Sequence, residues 1–230
     1  NGLTDQKNQG DNVITTLDAN LQQVAYDALG NNQGAVVVLE ADTGKVLALV
    51  SKPDFDPNTL AADWDAMVAD ENNSSLVNRA TQGLYPPGST FKIITGLAYL
   101  RDKGTLEGFS YNCAGEITQD GYTLHCYDGE VHGQEDFTKA FAKSCNTAFA
   151  EIGMQTSLSV FQKTAKDLLF NTDLSLGDML SNSSSFTLDK DAGRPLTMQT
   201  SIGQGNTLVT PMHMAMITSA IANGGTAMKP

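Results

Sequence analysis

Tyr85-Pro86-Pro87-Gly88-Ser89-Thr90-Phe91-Lys92 runs directly into Ile93-Ile94-Thr95-Gly96-Leu97-Ala98-Tyr99-Leu100. Two prolines and a glycine break whatever precedes, a serine opens an apolar segment and Gly104 closes it, so the stretch reads as loop, helix start, buried helix and stop. Ser89 falls in the first turn. Residues three apart share a helix face, which brings the Lys92 amine within reach of the Ser89 hydroxyl. A hydroxyl becomes a useful nucleophile when a neighbour accepts its proton, and a lysine can do so once burial or nearby cations hold its pKa down. Phe91, Ile93, Ile94 and Leu97 supply dry surroundings, and the helix N-terminus favours negative charge growing on a substrate oxygen. The same spacing also suits a plain N-capping serine with an exposed lysine one turn later.

Upstream, Leu17, Leu21, Val24, Ala25, Ala28 and Leu29 recur at helical spacing, with Thr16 or Asp18 as cap and Gly30 as stop. Two β-branched runs, Ala35 to Glu40 and Lys45 to Ser51, flank Ala41-Asp42-Thr43-Gly44 and predict a hairpin covered on both faces. Leu60 to Ala69 reads as a short helix around Trp64. Residues 1–14 are polar and Gly- and Gln-rich, a linker or frayed edge, and Asn1 marks the chain as a fragment or processed form.

Downstream, residues 105–135 form a glycine-rich irregular insert. Phe137, Ala140, Phe141, Ala148, Phe149 and Ile152 mark two short helices broken at Ser144-Cys145-Asn146, and Leu158, Phe161, Ala165, Leu168 and Leu169 mark another. Residues 171–193 read as a mobile surface loop. A last, buried helix is signalled by Thr210 as cap, Pro211 at its first position and Gly224-Gly225 at its end. The sum is an α/β (α+β) fold, an antiparallel sheet flanked by helices, with too few strands for its helices.

With 14 basic and 26 acidic residues the formal charge is -12, which argues against nucleic acid as a partner. At 230 residues and 40% hydrophobic composition the chain can bury a large core. No apolar run reaches membrane-spanning length. Of the cysteines, Cys113 and Cys126 bracket a predicted hairpin and are expected to form a disulfide, worth about 3 kcal/mol for so short a loop. Two alternatives remain: free thiols, or a zinc site of Cys113, His125, Cys126 and His132, which lacks a CxxC pair.

Ser144-Cys145-Asn146 is the second element. Its hydroxyl can relay a proton and its amide can bind a peptide-like substrate, if the helix break points both at Ser89 and Lys92. Capping residues would look the same. Taken with Thr15-Thr16-Leu17-Asp18, Asn78-Arg79-Ala80, His132-Gly133, Gly203-Gln204-Gly205, Thr210-Pro211 and Ala222-Asn223-Gly224-Gly225, the chain resembles the penicillin-binding proteins, in particular their monofunctional, class B branch. The resemblance covers residues 15–230, which would be the N-terminal portion of a transpeptidase domain.

The resemblance implies a five-stranded antiparallel sheet between helical layers and a serine D,D-transpeptidase of peptidoglycan synthesis. Ser89 would be the acylated nucleophile, Lys92 its proton acceptor, Ser144 the relay and Asn146 the ligand of the substrate's amide backbone. It implies stem peptides ending in D-Ala-D-Ala and an acceptor amine as substrates, β-lactams as covalent inhibitors, cell-wall synthesis machinery as partner and no cofactor or metal. It also implies a place at the extracytoplasmic face of the bacterial membrane, anchored by an N-terminal segment beyond this sequence. The family's third element, Lys-Thr-Gly or Lys-Ser-Gly on a strand, does not occur here; Lys163-Thr164-Ala165 is the nearest match, inside an amphipathic pattern. Three strands and half the oxyanion hole are therefore expected outside these residues. A β-lactam-hydrolysing enzyme and a non-catalytic penicillin-sensing or scaffold domain share the fold and stay open.

Overall fold

The computed structural model describes residues 12–230. Of the linker expected over residues 1–14, positions 1–11 lie outside the described residues, and Asn12, Val13 and Ile14 are exposed and irregular. The helices among the described residues are α1 (Ala19–Leu29), α2 (Leu60–Ala69), α3 (Lys92–Lys103), α4 (Phe137–Ala142), α5 (Asn146–Gln155), α6 (Leu158–Asp167), α7 (Arg194–Ser201) and α8 (Pro211–Ala222). The strands are β1 (Gly34–Leu39), β2 (Val46–Lys52), β3 (Tyr111–Cys113), β4 (Glu116–Gln119), β5 (Tyr122–His125) and β6 (Gly133–Glu135).

The valine-rich runs form the expected hairpin, with Val36 opposite Val50 and Val38 opposite Ala48. Its register then shifts, so that Leu39 pairs with Val46 and Leu47 is left over. The extra residue flips the side-chain alternation of β2. As a result Val36, Val38, Ala48 and Val50 meet Leu21, Ala25 and Leu29 of α1, whereas Val37, Leu39, Val46 and Leu49 meet Met212 and Met216 of α8. Both faces are covered, as the continuous apolarity required. The orphaned Leu47 carbonyl accepts a hydrogen bond from the backbone N–H of Asp18, whose carboxylate caps α1 through Leu21.

Among the described residues this central sheet has two strands, and the other pairings are the small ladders β3·β6 and β4·β5. The turn between β4 and β5 falls at Asp120-Gly121, both at positive φ, where only glycine or a small polar residue sits without strain. The hairpin expected in the insert is thus β4–β5, flanked by Cys113 at the end of β3 and Cys126 just after β5.

Two departures from expectation have clear causes. Residues 171–193 are irregular but not a free surface loop: Leu174, Leu176, Phe186 and Leu188 are buried, and Ser185 bridges to Leu208. Apolar residues spaced singly among serines and aspartates carry no period, so the sequence gives no sign of their burial. Helix α7 has no strong apolar stripe either. It is held through Met198 and through Gly153 of α5, where an added Cβ would collide with Ser201.

Phe91 centres an aromatic cluster, 5.8 to 6.3 Å from the rings of Phe161, Phe170 and Phe186. It is fully buried, as are Ile94 and Ala98 one and two turns on. Burying a Phe contributes about 1.5–3 kcal/mol, so the residue between Thr90 and Lys92 anchors this end of α3 in the core.

Candidate active site

Ser89 does not lie in the α-helix itself. Gly88–Phe91 is a 3-10 turn leading into α3. In a 3-10 turn the side chains at i and i+3 eclipse one another, closer than the α-helical spacing assumed from sequence. Ser89 Oγ and Lys92 Nζ stand 3.2 Å apart. The turn is pinned from behind, because the Gly88 N–H donates to the Gly203 carbonyl and Tyr85 pairs with Val209 in both directions. Gly203, at φ +73, presses so closely on Gly88 that any Cβ would overlap its backbone. Gly203→Ala is expected to push the Ser89 turn outward and slow its acylation about 10²-fold, since misplacement by an ångström is enough for that. Stopped-flow acylation would measure it.

Ser144 and Asn146 come from the break between α4 and α5. Ser144 has φ +53, the left-handed conformation that ends α4 by turning the chain back, with its N–H on the Phe141 carbonyl and the next N–H on the Ala140 carbonyl. Cys145 then caps α5, its sulfur accepting from the Ala148 N–H. Ser144 and Asn146, on either side of this inward-pointing cysteine, both face Lys92.

The Lys92 amine is enclosed, 1% exposed, with four acceptors around it: Ser89 Oγ, Ser144 O at 2.5 Å, Ser144 Oγ at 2.9 Å and Asn146 Oδ1 at 2.8 Å. The Asn146 amide nitrogen donates to the His125 carbonyl, which fixes which way the amide points. Two of the four, Ser144 O and Asn146 Oδ1, can only accept; the two hydroxyls can also donate. A neutral amine has two protons for the obligate acceptors and a lone pair for a hydroxyl proton. A charged amine has three protons and donates to one hydroxyl as well. The cage therefore fits both protonation states, as a base must. Burial pushes Lys92 down to about 8, against a smaller upward pull from Cys145 and Cys126. Ser89 and Ser144 are exposed residues, so the dry surroundings extend to the Lys92 amine and not to these two serines.

A cleft of about 410 Å³ opens over these groups, lined by Ser89, Tyr127, His132, Ser144, Asn146 and Gln204 among others. A second cavity of about 400 Å³, lined by Glu151 and Arg194 among others, does not include Ser89, Lys92, Ser144 or Asn146. Lys163-Thr164-Ala165 sits on α6 with Lys163 bound to Asp167, away from the cleft.

The cysteines differ from expectation. Cys113 and Cys126 sulfurs lie 3.6 Å apart as free thiols, not as the expected disulfide. Of the alternative zinc set, His125 turns outward to Glu116, and Cys145 takes its place beside Cys113, Cys126 and His132. Burial pushes Cys113 up, but hydrogen bonds from Thr147, His132 and Gly115 outweigh it and bring the thiol down to about 6. Burial holds the Cys145 thiol above its usual range. No spacing in the sequence joins Cys145 to the other two cysteines; it stands inside Ser144-Cys145-Asn146, whose outer residues carry the motif. Gly203 was visible only as part of Gly203-Gln204-Gly205, without a role.

A family model described as penicillin binding protein transpeptidase domain matches residues 34–230. Peptidoglycan D,D-transpeptidase PbpA of Mycobacterium tuberculosis is 38% identical over 99% of this chain and 49% of its own length. Peptidoglycan D,D-transpeptidase MrdA of Acinetobacter baumannii is 30% identical over 96% of this chain and 35% of its own length. The chain spans about half the length, or less, of these curated relatives. Among solved structures, a ceftriaxone acyl-enzyme complex of penicillin-binding protein A from M. tuberculosis superposes with a TM-score of 0.86 at 35% identity, over 94% of this chain and 52% of that one. The D,D-transpeptidase domain of a peptidoglycan glycosyltransferase from Eggerthella lenta gives 0.86 at 28% identity, over 93% and 55%. On the match over residues 34–230, the chain belongs to the penicillin-binding protein transpeptidase family.

Proposed function

We propose that this chain carries the nucleophile half of a serine D,D-transpeptidase that crosslinks peptidoglycan stem peptides. The observation that supports it most is the enclosed Lys92 amine, bonded at once to Ser89, Ser144 and Asn146. Lys92 takes the Ser89 proton as Oγ attacks the carbonyl of the penultimate D-Ala. The tetrahedral intermediate collapses to an ester, and the proton passes from Lys92 through Ser144 to the departing D-Ala amine. An acceptor amine from a second stem peptide then attacks the ester and gives its proton through Ser144 to Lys92, which returns it to Ser89 Oγ as the C–O bond breaks and the new peptide bond remains. Asn146, held by His125, offers an amide to the donor's backbone. A β-lactam enters the same first step but keeps its leaving group attached, so the ester persists.

Residues 15–230 serve in this reading as the N-terminal portion of the transpeptidase domain, with the third-motif strand supplied elsewhere in the gene product. The protein works at the extracytoplasmic face of the membrane beside other cell-wall synthesis proteins. No helix of the described residues is long and apolar enough to cross a membrane.

Treatment of the whole gene product with a fluorescent penicillin, followed by peptide mapping, tests the reading. A lasting adduct on Ser89 that vanishes in Ser89→Ala is the expected result. An adduct elsewhere would refute the assignment, and steady turnover of a chromogenic cephalosporin would favour the β-lactam-hydrolysing alternative.

A further inference from the structure

We propose that helix α2 and the groove beside it are a docking surface for a basic amphipathic helix of another protein. Among the described residues α2 is the one α-helix that buries no side chain, and Thr59 gives it no side-chain cap. Leu60 and Met67 are half-buried and the rest of it is exposed. A helix of ten residues is marginal in water by itself and draws its stability from a packed apolar face. Yet α2 is not polar. Trp64 and Val68, one turn apart, are 49% and 57% exposed, and Ala61 on the same side is exposed with them. Phe55, in the loop before the helix, is 38% exposed. Trp64 is the only tryptophan in the sequence. A large ring left half in water on an apolar stripe is the kind of residue that anchors an interface.

Charge selects what can cover this face. The adjoining stripe of α2, Asp63, Met67 and Asp70, lines a groove of about 430 Å³ together with Asp54, Phe55 and Asp56. Between Lys52 and Arg79 every charged side chain is acidic: Asp54, Asp56, Asp63, Asp65, Asp70 and Glu71. Among the described residues none of these six is in an ion pair. Such a surface repels an anionic bilayer, and a second copy of this chain, with 26 acidic against 14 basic residues, brings like charge to it. A helix with apolar residues at i, i+3, i+4 and i+7, flanked by lysines or arginines, satisfies both halves. Its apolar face covers Trp64 and Val68, and its cations meet the carboxylates. At 1.5 Å per residue α2 offers such a helix about 15 Å of contact, or about three turns.

The surface stands on the connection between β2 and the Ser89 turn, and no residue of α2 lines the catalytic cleft. A partner docked there leaves the cleft open to substrate.

The test is titration of the whole gene product with a synthetic peptide of leucine and lysine, its leucines at helical spacing, against a scrambled peptide of the same composition. Binding should shift the emission of Trp64 to the blue, a change absent in Trp64→Phe. Trp64→Ala should weaken binding about tenfold or more. The triple variant Asp63→Asn, Asp65→Asn, Asp70→Asn should weaken it by a similar factor at low salt, and wild-type affinity should fall as salt rises. Amides at three acids elsewhere, Glu107→Gln, Glu116→Gln and Asp120→Asn, should leave it unchanged. Hydrogen exchange on the wild type, which needs no variant to fold, should show α2 amides gaining protection when the peptide binds while those of α3 stay as they were. Equal binding of the scrambled peptide, unchanged affinity in Trp64→Ala, or protection gained away from α2 overturns the proposal. Self-association of the free protein that Trp64→Ala abolishes would give the face to a second copy, and binding to phosphatidylglycerol vesicles lost in that variant would give it to a membrane; either result overturns it as well. The readout is peptide binding and not acylation, so its failure is separate from failure of the transpeptidase reading.

Discussion

Lys92→Ala is expected to slow acylation of Ser89 by a β-lactam by about 10²–10⁴-fold, the usual worth of a positioned general base. The alternative explanation for such a loss, collapse of the fold, can be judged from the energies. At pH 7 the wild-type amine is charged in a site that depresses its pKa from 10.5 to about 8, a cost of about 3 kcal/mol. Removing it leaves Ser144 O and Asn146 Oδ1 without a donor, at about 1–3 kcal/mol each. The two effects nearly offset, so the variant should unfold at close to the wild-type denaturant midpoint. The sign with pH also differs between the two proteins. The folded pKa lies below the unfolded one, so the penalty is full below pH 8 and gone above 10.5. Wild type should therefore gain stability relative to Lys92→Ala across that window. A variant with unchanged acylation would leave Ser89 to some other base.

Ser144→Gly should separate stability from activity. A non-glycine residue at φ +53 is held in the left-handed region at a cost of about 1 kcal/mol. Glycine relaxes it, and denaturation should show a gain of up to about that size. Yet the hydroxyl 2.9 Å from Lys92 is lost, and with it the relay to the leaving amine. Transpeptidation should fall about 10²-fold. Strain kept in place for chemistry predicts these opposite signs; a merely structural serine predicts no loss of activity.

Much of this architecture is legible in the sequence because it rests on local rules. Thr210-Pro211 and Gly224-Gly225 bound α8, and the valines of β1 and β2 predict a sheet buried on both faces. Ser89 and Lys92, and the break at Ser144, follow from short spacings. What could not be read depends on long-range closure. The bulge at Leu47 inverts one strand's faces without leaving a pattern. The 3-10 turn at Ser89 is imposed by Gly203, more than a hundred positions away. Leu174 and Phe186 are buried singly, without a period. The hairpin between them pairs Cys113 with Cys126 in the sequence, whereas Cys145 joins them only when α5 folds back onto β3.

The central claim is that Lys92 is the base for Ser89, and the pH dependence of Ser89 acylation in the whole gene product tests it most directly. The rate should rise tenfold per pH unit to a midpoint near 8 and then level off, following deprotonation of the amine, and Lys92→Ala should abolish that midpoint. A rate that stays flat from pH 6 to 10, or a midpoint that survives in Lys92→Ala, would contradict it.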